Sequence, residues 1–296
     1  MSLLANIKII DAHHHLWDLD AVDYPWLNAR GVQRFFGDPT PIQKNYYPEN
    51  LSADAAPLKL EKSVHIQVGA QDSMQESQWI QSIDGSVPSA HIAEAALHSG
   101  NIAHTLQNFS LLSKIRGVRQ IIGRHPVEDA KTGTDMLLTD PQWQKGLKIL
   151  ESSGLSFDLQ LIAGQYERAH AALEKVPDLK VAICHFGSPW EMDNNAFQNW
   201  ETSMERFATL PNVMIKLSGF SMFKPTWVKK DLAHYIQSAL KIFGPKRCMF
   251  GSNFPVDGLH RSYQEIIETT ADLVSKYDAS SLPLVFAENA QSFYRL

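Results

Sequence analysis

The chain has 296 residues, of which 44% are hydrophobic and 20% charged, a globular balance that argues against disorder. A formal net charge of -5 with no basic run argues against nucleic acid as a partner. Two cysteines, Cys184 and Cys248, exclude a disulfide scaffold and a cysteine-rich metal centre.

The first ten residues carry an apolar stretch interrupted by Asn6 and Lys8, which reads as neither a signal peptide nor a spanning helix. No later run is long and apolar enough to span a bilayer, so neither membrane nor nucleic acid is expected as a partner and a cytoplasmic location is. In chain order, strands are predicted over 8–12, 63–68, 117–122, 156–161, 180–184, 213–217 and 247–250, with a weaker run at 90–97. Helices are predicted over 140–153, 166–175, 196–209, 227–243 and 262–277. Within 140–153, Trp143, Leu147 and Leu150 fall at helical spacing behind the Asp140-Pro141 start. The segment 16–57 is aromatic and proline-bearing and reads as an elaborated loop after the first strand.

Alternation of strand and helix implies parallel βαβ units, and eight of them in one α/β chain predict a single-domain (β/α)8 TIM-like barrel over residues 1–296. Side chains alternate faces along a strand, and several predicted strands carry a polar face: His65 with Gln67, Arg119, Asp158 with Gln160, and Lys216. In a barrel those residues line the interior near the C-terminal mouth; in an open sheet they would be amphipathic edge strands.

Three motifs carry chemistry. In Asp11-Ala12-His13-His14-His15, His13 and His15 are two apart on an extended segment and point the same way, whereas His14 points to the other face. Such a pair can hold a metal or polarise a carbonyl oxygen. His185 follows an apolar run and stands at a strand's end, with Cys184 expected to face the helix layer as inert packing. Asn253 sits where the 247–250 strand breaks into a turn, and Asp257 reads as a loop or helix-cap residue further out. Arg119, Arg124 and Lys216 are placed near the mouth, where guanidinium forks match carboxylates. Gln67 and Asp158 join them as substrate-binding candidates; Trp17, Tyr24 and Trp26 either roof the pocket or pack the long loop down.

Together Asp-x-His-x-His, His185-x-Gly and Gly-Ser-Asn253-x-Pro resemble the amidohydrolase superfamily, and within it the lactonase branch that acts on pyrone-dicarboxylate and sugar-acid lactones. Trp17, Tyr24-Pro-Trp26, Arg119, Lys216-Leu-Ser-Gly219 and the Glu288–Tyr294 end match the same pattern, so the resemblance runs through nearly the whole chain. It implies a distorted barrel in which His13, His15 and His185 hold or polarise a lactone carbonyl, or bind one divalent ion such as zinc. The family's strand-8 aspartate, which activates water, is replaced here by Asn253, and a carboxamide cannot take a proton from water. Arg119 at strand 4, with Asp158 and Gln160 at strand 5, disfavours two metals, and the expectation is a site that requires no metal. The reading is a lactone hydrolase with His13, His15, His185 and Asn253 as catalytic residues and a small anionic or hydroxyl-rich substrate, its base being a neutral His or Asp158. The alternatives are a metal-dependent aromatic-acid decarboxylase on the same fold and a non-catalytic small-acid binding protein. Oligomeric state stays open.

Overall fold

The computed structural model describes residues 3–132 and 134–296. Eight strands, all parallel, follow one another round a single sheet in chain order. They are β1 (Ile9–His14), β2 (Leu60–Ile66), β3 (Ala90–Glu94), β4 (Ile115–Ile121), β5 (Ser156–Gln160), β6 (Val181–Ile183), β7 (Val213–Leu217) and β8 (Cys248–Phe250). The helices that return the chain are α1 (Pro48–Ala55), α2 (Ser73–Ser82), α3 (Ile102–Phe109), α4 (Pro141–Ser153), α5 (Tyr166–Leu173), α6 (Asn194–Ala208), α7 (Lys229–Phe243) and α8 (Tyr263–Asp278), before a short α9 (Asn289–Phe293). The predicted barrel is present, and the weak run at 90–97 is its third strand.

Helix starts follow local chemistry. Asp140 accepts from Gln142 N at the head of α4, and Gly154 ends that helix in the left-handed region (φ 72). At α8, Ser262 and Glu265 cap each other's backbone reciprocally.

The barrel has two apolar layers. Val118, Phe157, Leu159, Val181, Ile183, Ile215 and Phe250 point outward into the helices. Ile10, Ala12, Val64, Ile66, Ile92, Met214 and Met249 fill the interior at its base, where Ala290, Phe293 and Tyr294 join them. The terminal segment therefore packs the base from below, and Asn289 Nδ2 donates to the Cys248 and Pro245 carbonyls of the β8 end (2.7 Å each). Polar neighbours of an edge strand are satisfied in this way.

Strands β8 and β1 meet through the loop after β8. Asn253 N donates to His13 O and His15 N donates to Phe254 O, both at 2.7 Å. The Asp11 carboxylate ties the seam by accepting from His13 N (3.1 Å), Ser252 N (2.9 Å) and the Tyr263 hydroxyl (3.1 Å). Asp11 in the histidine motif is thus a clasp between the first and last strands.

The polar-face reading fails at His65 of β2, although Gln67 just beyond the strand does reach the barrel mouth. Val64 and Ile66 fill the base, and His65 turns outward, where its Nδ1 meets His91 Nδ1 (2.9 Å) and its Nε2 donates to Leu16 O (3.0 Å). His91 Nε2 in turn meets the Ser77 hydroxyl of α2 (3.1 Å). Buried imidazoles with complete partners are structural here.

Candidate active site

A cavity of about 550 Å³ opens at the C-terminal ends of the strands. His15, His185, Asn253, Gln67, Arg119 and Arg124 all line it. His13 lies just beneath, its ring edge-on to His15 (centroids 5.2 Å apart) and tilted against His185 (4.3 Å). The three imidazoles from β1 and β6 therefore meet beside residue 253.

Each ring is held by specific contacts. His15 Nδ1 donates to Ile66 O (2.8 Å), and its Nε2 is 3.2 Å from Asn253 Oδ1. His185 Nδ1 bonds the Ser218 hydroxyl (3.0 Å), and its ring lies against Gly219 so closely that any Cβ there would overlap it. His14 faces away and bonds the Ser63 hydroxyl (2.8 Å). Burial, followed by neighbouring positive charge, keeps all three site imidazoles neutral: His15 falls to about 3, and His13 and His185 lie well below the usual 6.5.

The turns after β6 and β8 enter the left-handed region that non-glycine residues rarely adopt, at His185 (φ 54), Phe186 (φ 54), Ser188 (φ 61) and Asn253 (φ 57). Such backbone strain collects at working sites. It also corrects the reading of Cys184. Ile183 is the last residue of β6, and the left-handed turn at His185 breaks the alternation, so Cys184 and His185 both face inward. The Cys184 thiol lies in the barrel within 4.8 Å of donor atoms of His13 and Asp158, and burial pushes it up to about 12, an inert thiol.

Asp158 and Lys216 form the floor instead of the substrate surface. Both are fully buried and pair at 2.5 Å, and Lys216 Nζ also donates to Ala12 O (2.8 Å) and lies 3.5 Å from His13 Nδ1. The Tyr294 hydroxyl donates to Asp158 (2.9 Å), and its ring carries the Lys216 ammonium 5.2 Å from the centroid. Their expected substrate contacts are replaced by this ion pair, because a barrel interior tolerates charge only when it is partnered. Asp158 is thereby removed as a base.

Arg119 reaches the cavity wall, donating to Gln160 Oε1 (3.0 Å) and to Gln67 O. Its Nε has no hydrogen-bond partner, and no ion pair joins it to Asp158 or Glu94 among the described residues. The Gln67 carboxamide oxygen accepts from Gly69 N (2.8 Å).

Trp17 and Tyr24 do not line the cavity. Trp17 is pinned by its indole to Lys44 O (2.6 Å) and packs on Tyr46, while Tyr24 is buried beside Glu76. They hold the long loop down so that Trp26, Phe35 and Phe36 roof the cavity. Glu94, His98 and Arg34 also line it and were not anticipated. Glu94 ends β3, and its place at a barrel strand's C-terminus was the available signal.

Asp257 is buried, not an outer loop residue. Its carboxylate accepts from Asn253 Nδ2 (2.7 Å) and Ser221 N (3.2 Å).

The set of metal donors that comes within 4.8 Å among the described residues is His13, Asp158 and Cys184, not the three histidines. His13 Nε2 is buried without a hydrogen-bond partner and keeps one ring nitrogen open. The Lys216 ammonium, however, sits against both Asp158 and His13, and His15 Nδ1 is already bonded to Ile66 O. A dication there would meet a fixed positive charge, so this donor set fits a metal poorly.

A parallel barrel with an imidazole-rich cavity at its C-terminal mouth is an enzyme architecture. The sequence model described as amidohydrolase matches residues 113–296. The protein y4mH of Sinorhizobium fredii, described as uncharacterized, is 33% identical over 99% of this chain and 100% of its own length. The L-fucono-1,5-lactonase of Burkholderia multivorans is 27% identical over 92% of this chain and 89% of its own. An amidohydrolase from Burkholderia multivorans, solved with bound HEPES, superposes with a TM-score of 0.83 at 22% identity, covering 98% of this chain and 99% of that one. A second crystal form with bound zinc gives 0.82 at 21%, with the same coverage. The chain belongs to the amidohydrolase family. No helix among the described residues is long and apolar enough to cross a membrane.

Proposed function

We propose that the protein is a hydrolase that opens the ring of a small lactone, a sugar-acid or pyrone-carboxylate ester. The observation that carries the reading is the convergence of His15, His185, Asn253 and Arg119 on one cavity at the barrel mouth. The naming of the Burkholderia relative as a lactonase supports the ester class. The cavity volume of about 550 Å³ suits a monocyclic substrate. Arg34, Arg119 and Arg124 supply cations, Glu94 an acceptor, and Trp26, Phe35 and Phe36 an apolar face, which together suit an anionic or hydroxyl-rich ring.

In ester hydrolysis, charge develops on the carbonyl oxygen as water adds. Arg119 stands in the wall as a fixed cation for that oxygen, in a setting that excludes bulk water. The base is an imidazole, because the described geometry seals Asp158 under Lys216 and Tyr294. Neutral His15 and His185 can both accept a proton and return it to the leaving ring oxygen. Decarboxylation draws no support from the donor geometry, since Lys216 opposes a metal.

A panel of aldonolactones and pyrone carboxylates, followed by acid release with a pH indicator, tests the reading. Turnover of at least one ring that is lost in His185→Ala is expected. No ring opened faster by the wild type than by His185→Ala would overturn it.

A further inference from the structure

The family position that activates water holds an amide here, and the hydrogen-bond logic around that amide is closed. The Trp227 indole can only donate, and it gives its proton to Ser221 Oγ (3.0 Å). The Ser221 hydroxyl proton is then free to turn toward Asp257, whose ionised form it favours. Ser221 N donates to the same carboxylate (3.2 Å). Asp257 is thus surrounded by donors, and the amide end of Asn253 (Nδ2, 2.7 Å) completes the set. The carboxamide oxygen of Asn253 must therefore face the cavity.

There it meets His15. Carbonyls only accept, so the bond from His15 Nδ1 to Ile66 O places the ring proton on Nδ1. Neutral His15 then presents a lone pair at Nε2, and Asn253 Oδ1, 3.2 Å away, presents another. Neither can satisfy the other. One molecule with two protons to give satisfies both, and both atoms belong to residues that line the cavity.

We infer that Asp257 is a positioning residue that fixes the Asn253 carboxamide oxygen beside His15 Nε2, so that the pair seats the hydrolytic water by its two hydrogens. This rests on the lactone-hydrolase reading. The water's oxygen keeps its lone pairs for the carbonyl carbon. As the new C–O bond forms, one O–H bond breaks and its proton passes to His15 Nε2. When the ring C–O bond breaks, that proton goes to the departing ring oxygen. Asn253 thereby orients water without taking a proton, and the replaced aspartate is not missed as a base.

The decisive variant is Asp257→Asn. Its amide would keep the contacts to Ser221 through the oxygen and offer an N–H to residue 253. Asn253 then turns over, its own N–H caps the His15 lone pair, and the water seat is lost while every hydrogen bond survives. The expected result is an unchanged KM, a melting temperature within about 2 °C of wild type, and kcat lowered roughly 100-fold, the usual scale of a lost proton-transfer partner. In Asn253→Asp/Asp257→Asn, a carboxylate at position 253 accepts from the amide at 257 and again turns an oxygen toward His15, so kcat recovers at least about tenfold over the single variant. A merely structural Asp257 would lower the melting temperature instead of kcat alone. A single-variant kcat within about threefold of wild type, or a loss that the double exchange does not recover, overturns the inference. The Asn253 side-chain amide signal in ¹⁵N-labelled protein, assigned by its disappearance in Asn253→Asp, provides an arm independent of turnover. It is expected to shift in Asp257→Asn, and an unmoved signal overturns the orientation. If the wild type opens no lactone, the hydrolase reading and the water's role fall together, while this signal still decides whether Asp257 sets the amide.

Discussion

Acid should unfold this protein over an unusually narrow range, and the structure sets the slope. Six buried histidines are held neutral: His14, His15 and His91 near 3, and His13, His65 and His185 well below 6.5. Burial is the first cause in every case. Once unfolded, each takes up a proton below about pH 6.5, so the stability they contribute is present above that value and lost as pH falls. Buried carboxyls act in the opposite direction. Asp11 and Asp257, raised by burial to about 6, and Glu76, raised to about 8, are protonated in the fold at pH 5 and mostly give up those protons on unfolding. Glu94 is displaced the same way. Near pH 5 the balance is an uptake of about three protons on unfolding, or roughly 4 kcal/mol per pH unit. Over two pH units this reaches about 8 kcal/mol, comparable to the whole stability of an ordinary domain. Circular dichroism across a pH series, with urea titrations at each pH, measures the slope. A transition complete by about pH 4 is expected, and His14→Gln should reduce the slope by about one proton. A chain still folded at pH 4, or an uptake below about one proton, would refute the reasoning.

Lys216→Met leaves the Asp158 carboxylate buried with the Tyr294 hydroxyl as its remaining donor. Loss of one partner of such a pair costs about 3–5 kcal/mol, so calorimetry should show a melting point lower by roughly 6 °C or more. Lys216→Met/Asp158→Leu should restore part of that loss. Gly219→Ala forces a side chain into the left-handed region (φ +69) and against the His185 ring, so hydrolysis should drop at least about tenfold, checked by steady-state kinetics. Because Lys216 opposes a dication, chelator treatment followed by zinc should change turnover by less than about twofold, with metal content read by elemental analysis.

The barrel was legible because its strands carry β-branched runs with period-two alternation, as in Val213–Leu217, whose predicted limits match the structure. β3 was the faint one because Ala90–Glu94 buries His91 and ends in an acid, which weakens the apolar signal. Within the site, His13, His15, His185 and Asn253 could be anticipated because a strand's end and a following turn are local features. The inward turn of Cys184 could not, since a left-handed residue at 185 is invisible in composition. Nor could the donors around Asp257, because Ser221, in the connection after β7, and Asn253, in the turn after β8, meet only in the closed barrel. The aromatic roof stayed open in the sequence for a similar reason. Trp17 and Trp26 are alike in sequence, and the bonds of their indoles to Lys44 O and Val68 O decide which is buried and which lines the cavity.

In the proposed mechanism a neutral His15, 3.2 Å from Asn253 Oδ1, takes the proton during ring opening. The most direct measurement is kcat/KM of His15→Gln against wild type on whichever lactone the wild type opens fastest, with melting temperatures recorded beside it. A fall of about 100-fold or more is expected while the variant stays folded at the assay temperature. A folded variant that retains a third or more of wild-type kcat/KM would contradict it.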